Sequence, residues 1–136
     1  MLSPTAFAEQ RQAISRSGPP STGDNLLGME IDFLAELGDP AYADNPHPLW
    51  TEPIVDRQPD WLIHLSATAR PGATPAQIEQ ALTTAWTQTL RYTYREAHTV
   101  LTTPTSVTLQ AITQIDPGDL WVTAQAQVVL PAPPST

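Results

Sequence analysis

Two alternating runs near the C-terminal end constrain the fold more than any other feature of the chain. In the first, Val107, Leu109, Ala111, Thr113 and Ile115 alternate with Ser106, Thr108, Gln110 and Gln114. In the second, Leu120, Val122, Ala124, Ala126, Val128 and Leu130 alternate with Trp121, Thr123, Gln125, Gln127 and Val129. A period of two belongs to a strand with one buried face. Between the runs stands Asp116-Pro117-Gly118-Asp119, which is turn chemistry, so the pair reads as an antiparallel hairpin.

A two-stranded ribbon does not stand alone, and the sequence upstream supplies its support. Trp61-Leu62-Ile63-His64-Leu65-Ser66-Ala67-Thr68-Ala69-Arg70 alternates in the same way, with Trp, Ile, Leu and two Ala on one side. Pro71-Gly72-Ala73 follows, then Thr74-Pro75 as helix cap and first helical residue. The spacing predicts an amphipathic helix from there to about Ala97, with Ile78, Leu82, Ala85, Trp86, Thr89 and Thr93 on its inner side. The expected fold is therefore α+β: N-terminal helices, then β-α-β-β, one long helix lying on a small antiparallel or mixed three-stranded sheet.

The first sixty residues are less regular. Ser3-Pro4 offers a helix start, Phe7, Ile14 and the alanines a thin apolar stripe, and Pro19-Pro20 a stop. Asp24 caps a second helix over about 25–37, with Leu27, Ile31, Leu34 and Leu37 inward, Glu30, Asp32 and Glu36 outward, and Gly38-Asp39-Pro40 ending it. The stretch AYADNPHPLWTEPIVDRQPD reads as an ordered wrapping loop pinned by Tyr42, Trp50 and Ile54. The expected organisation is an N-terminal helix with a Pro/Ser/Gly linker over 1–23, a single α+β domain over 24–131, and a disordered tail over 132–136.

Charge and composition exclude several functions. The chain of 136 residues has a formal net charge of −8, and ten of its 14 acids but only three of its six arginines lie in residues 1–60. That half carries −7 and the remainder −1. An acidic chain without a basic patch repels phosphate, so neither nucleic acid nor an anionic membrane is an expected partner; a basic protein partner is compatible, and solubility alone would explain the charge. With no cysteine there is no disulfide, thiolate metal site or thiol nucleophile. No basic-then-apolar leader opens the sequence and no apolar stretch reaches the length of a span, which points to a soluble, cytoplasmic protein. All the basic residues are arginine, a bias that fits a high-GC bacterial gene.

The outer sheet face is where a function would sit. It carries His64, Ser66, Thr68 and Arg70 from the first strand, Thr108, Gln110 and Ile112 from the second, and Trp121, Thr123, Gln125 and Gln127 from the third. Solvent-facing strands use charge freely, whereas this face is polar and almost uncharged, which suits a surface that another surface covers. Three covers are open: a second copy, meeting this one through faces or edges; the proline-rich loop, with Trp50 and Tyr42 across it; or a small molecule in a pocket of about 300 Å³ or more. No nucleophile elbow, phosphate loop, dinucleotide fingerprint or metal-ligand spacing occurs. His64 with Ser66, Glu96 with His98 at the helix end, Arg91 with Arg95, and His47 with Asp44 contain chemically useful types without a supporting arrangement, so no catalytic, cofactor or metal residue is assigned. The expected function is a non-enzymatic interaction or accessory domain, a homodimer or partner-binding protein acting through that face; the alternative is a small-molecule-binding or enzymatic domain using a pocket there.

Overall fold

A computed structural model describes residues 3–16, 23–55, 63–90, 93–115 and 120–131. In chain order the elements are α1 (Pro4–Arg16), α2 (Gly23–Glu36), β1 (Ile54–Val55), β2 (Ile63–Thr68), α3 (Pro75–Thr89), β3 (Thr93–Thr102), β4 (Ser106–Ile115) and β5 (Leu120–Val129). The class is α+β, but the sheet has five strands and not three, in the order β1-β2-β5-β4-β3. β2 runs parallel to β5, and the other neighbours are antiparallel.

The expected hairpin is present as β4 and β5, paired from Ser106↔Val129 to Ile115↔Leu120. The turn at 116–119, the linker after Arg16 and the tail at 132–136 lie outside the described residues. The helix after Thr74 starts as expected. Thr74 accepts the backbone N–H of Gln77 at 3.2 Å while the Gln77 side chain accepts that of Thr74 at 3.0 Å, a reciprocal cap with Pro75 behind it. Its end differs from expectation: α3 stops at Thr89, and residues 93–102 form β3, so Thr93 belongs to a strand and not to the helix. The β-branched and aromatic content of TYREAHTVLT favours a strand once β4 offers its edge, and Arg95-Glu96-Ala97, helical by propensity, is overridden by that pairing. A second turn then joins β3 to β4. The Thr103 hydroxyl accepts the N–H groups of Thr105 and Ser106 at 3.2 and 3.1 Å, and Thr103 N–H donates to the Ser106 carbonyl at 2.8 Å.

The main core lies between the sheet and α3. Ile63, Leu65, Ala124, Ala126, Val128, Val107, Leu109 and Ala111 are buried on the sheet, and Ile78, Leu82, Ala85, Trp86 and Thr89 are buried on α3. The alanines of the inner strands leave room for large helix side chains, which is how Trp86 and Leu82 reach full burial. α2 packs on α3, its Phe33 ring meeting Trp86 edge-on with centroids 5.4 Å apart. Because Phe33 takes that contact, the buried stripe of α2 is Met29, Phe33, Leu34 and Leu37. Ile31 is only half-buried, and Glu30, expected on the outside, is 4% exposed. Leu27's side chain lies outside the description.

α2 ends where the glycine predicts. Gly38 has φ 85°, its N–H donates to Ala35 at 3.2 Å and the next N–H, of Asp39, donates to Leu34 at 3.0 Å, the paired bonds of a Schellman stop. The loop after it is tied to this corner. Trp50 is buried and its indole N–H donates to the Leu37 carbonyl at 2.8 Å; His47 stacks flat on the Trp50 ring at 3.6 Å; Arg70 Nε donates to the His47 carbonyl at 3.0 Å. The loop thus seals the helix side of the sheet, and Tyr42, 48% exposed, pins nothing. Burial, and then the nearby Arg70 guanidinium, hold the His47 imidazole below its ordinary pKa. Among the described residues no helix is long and apolar enough to cross a membrane.

Candidate functional site: the covered polar face and the open edge

Strand register places most of the expected outer-face residues together. His64, Gln125, Gln110 and Thr99 form one row across β2, β5, β4 and β3; Ser66, Gln127, Thr108 and Leu101 form the next; Ile112 pairs with Thr123 in the row before. At about 4.8 Å between strands, each row spans roughly 14 Å. Thr68 sits at the exposed end of β2. The Trp121 side chain lies outside the described residues. Arg70 departs from the group: it follows β2, and its guanidinium reaches back to the His47 carbonyl of the loop.

The cover of this face is neither the loop nor bulk solvent. α1 packs against β5 and β4, and Phe7, 2% exposed, is its anchor. The loop with Trp50 and Tyr42 is on the other side, because Trp50 is committed to Leu37 and the α3 core. Part of the face is buried. His64 is 7% exposed, Thr123 is fully buried, and Thr108 is buried. Between helix and sheet a cleft of about 290 Å³ stays open, walled by Pro4, Phe7, Ala8, Arg11 and Gln12 of α1 and by Gln110 and Gln125 of the sheet. The α1 residues were not legible as site residues. Their only sequence signal is that Phe7 is the one large apolar side chain in PTAFAEQ, which says that α1 docks but not where.

In comparisons with family models, curated proteins and solved structures, nothing matches this chain.

The sheet's two edges are unlike. β1 is two residues long, preceded by Pro53, and lies in the acidic part of the chain beside Glu52. Short, proline-flanked and charged edges resist pairing. β3 is ten residues long, contains no proline, and after one register shift between Thr93 and Arg95 pairs with β4 without interruption to Thr102. Among the described residues no strand lies beyond it. Two of its polar side chains, Glu96 and Thr102, are turned toward α3. Glu96 accepts the Trp86 indole N–H at 3.2 Å and contacts His98 Nδ1 at 2.9 Å, and Thr102 donates to Glu79 of α3. Glu96 and His98, expected at a helix end, are thus i, i+2 neighbours on the helix-facing side of a strand. Arg95 is likewise on β3, so it does not stand one helical turn from Arg91, which lies outside the described residues.

His64 and Ser66 share a face as expected, two residues apart on one strand. Among the described residues no group of three His, Asp or Glu converges in a way that would hold a metal ion.

Proposed function

We propose that the protein is a non-enzymatic interaction domain that self-associates, the outer edge of β3 of one copy pairing antiparallel with β3 of a second to make a continuous ten-stranded sheet. One observation carries this reading: the contrast between a ten-residue open edge at β3 and a two-residue guarded edge at β1. An open edge presents unpaired N–H and C=O groups at alternate residues, and an identical strand related by a two-fold axis is the partner that satisfies them with like geometry on both sides.

Charge favours a second copy over an acidic partner and sets its orientation. Residues 1–60 carry −7 and the rest −1, so β3–β3 pairing joins the near-neutral parts and leaves β1 with its acidic surroundings at the far ends of the joint sheet. With the two-fold axis near Thr99, Glu96 of each copy faces Thr102 of the other and His98 faces Val100, so no like charges meet. The role first expected of the polar face is thereby moved to the strand beside it, since α1 occupies that face.

The test is mass in solution. Light scattering after size-exclusion chromatography at about 100 μM is expected to give twice the 14.8 kDa chain mass. Thr99→Lys, which sets the lysines of the two copies opposite each other on the axis, is expected to give a monomer with an unchanged far-ultraviolet spectrum. A monomeric wild type sinks the proposal, as does a dimer indifferent to that substitution.

A further inference from the structure

We infer that the cleft between α1 and the sheet is a binding site for a small planar organic acid that also carries a hydroxyl or amino donor. The cleft's volume, about 290 Å³, matches the low end of small-molecule sites, room for a single-ring compound. Its walls divide by chemistry. Phe7, Pro4 and Ala8 give an apolar side, Arg11 is the one cation lining it among the described residues, and Gln110 and Gln125 close the floor with amides.

What makes the floor more than packing is an unmet bond. The side-chain carbonyl oxygen of Gln110 is buried and accepts no hydrogen bond, and the Thr123 hydroxyl, fully buried in the adjacent row of the same face, also has none. Burying an acceptor without a donor is costly, and both of the unsatisfied buried side-chain atoms among the described residues lie on this one face. Turning of the Gln110 amide toward the cleft would bring Oε1 within reach of a ligand hydroxyl or amine, whose donation would relieve that. Arg11 already makes a contact within the chain, and a guanidinium with five donors has others to offer a carboxylate. An aromatic or similarly flat ring fits the third wall, against Phe7. A neutral apolar ligand would leave Gln110 unmet, and a cation would meet Arg11; the hydroxy- or amino-acid is the class that answers all three walls.

The site and the β3 edge stand at different places on the sheet, so either can fail without the other. The experiment is a titration of the isotope-labelled full-length protein, followed by nuclear magnetic resonance, with 3-hydroxybenzoate, 4-hydroxybenzoate and 4-hydroxyphenylacetate. Benzoate serves as the acid without a donor and 4-hydroxybenzyl alcohol as the donor without an acid. Saturable shifts confined to α1, Gln110 and Gln125 are expected with at least one hydroxy-acid. Its affinity should exceed that of both controls by roughly tenfold, the scale of one well-placed hydrogen bond. Gln110→Leu is expected to erase the preference over benzoate, and Ala8→Trp, which fills the cleft from an exposed helix position, to abolish binding. Absence of saturable shifts at the solubility limit of all three acids, shifts mapping elsewhere, or a hydroxy-acid preference that survives Gln110→Leu would each overturn the inference.

Discussion

Gly38 joins the end of α2 to the loop that seals the core, and replacing it with alanine separates two costs that usually arrive together. The first is conformational: at φ 85° an L-residue is strained by about 1–2 kcal/mol, offset by about 0.4–1 kcal/mol from the stiffer unfolded chain. The second is steric. A Cβ at Gly38 would overlap the His47 backbone nitrogen and lie 3.0 Å from its Cβ and 3.1 Å from its Cα. His47 has little freedom to withdraw, because its ring stacks on Trp50 and its carbonyl holds Arg70. Overpacking of this kind costs about 1–3 kcal/mol, so Gly38→Ala should destabilise by about 2–4 kcal/mol.

Two other glycines calibrate the number. Gly72 has φ 88° with nothing within 4 Å of an added Cβ, so Gly72→Ala carries only the conformational part, about 1 kcal/mol net. Gly28 lies exposed in α2 with open space around it and an ordinary φ, so Gly28→Ala should stabilise by roughly 1 kcal/mol. Urea unfolding followed by the fluorescence of buried Trp50 and Trp86 reads all three on one scale. At about 3 °C per kcal/mol for a domain of this length, Gly38→Ala should also melt about 6–12 °C lower than the parent. Equal costs for Gly38→Ala and Gly72→Ala would refute the contact between the helix end and His47, and with it the account of how the loop is held.

Three further perturbations test other joints. Because the folded state keeps the His47 pKa below its ordinary 6.5, the group's contribution is complete above that pH and is lost as pH falls through the lowered value; urea midpoints should therefore drop less between pH ~7.5 and ~5.5 in His47→Gln than in the parent. Thr74→Ala removes the reciprocal cap of α3 and should cost about 1 kcal/mol by urea titration, with Gln77→Ala costing less. Glu96→Ala takes away the acceptor of the Trp86 indole and should cost about 1 kcal/mol, whereas Glu96→Gln, which keeps an oxygen in place, should cost less; equal losses would show that the bond to Trp86 contributes nothing.

The parts of the fold that were legible are those whose signal is local. Period-two runs mark β2, β4 and β5, the Thr74-Pro75 start marks α3, and Gly38 marks the end of α2, because each needs only its own neighbours to be recognised. β3 was hidden because its strand character depends on β4; Glu96 and His98, polar residues on the helix-facing side, break the pattern that a half-buried strand should show. β1 has two residues, too few to carry a period. For the candidate site, the outer face from His64 to Gln127 could be assembled from parity alone, whereas its lid could not. Nothing in PTAFAEQRQAISR says which surface Phe7 will find, and Arg70 was assigned to the face only by extending the β2 parity one step beyond the strand.

The sheet order also dictates when the molecule can become itself. β5, the last strand, occupies the middle of the sheet, flanked by β2 on one side and β4 on the other. Until it arrives, β2 has only the two-residue β1 beside it, and the β3–β4 hairpin has no connection to β2. A chain emerging from the ribosome therefore holds the β1–β2 pair and the β3–β4 hairpin as unjoined parts of the sheet, and joining β2 to β5 closes a loop of more than fifty residues in a single step. Such non-local closure is slow, so the pairing of β2 with β5 should be a late step of folding. Through that interval the open edge of β3 is already formed and unaccompanied, which makes the order of assembly, two partners meeting before or after β5 seats, a question of timing as much as of affinity.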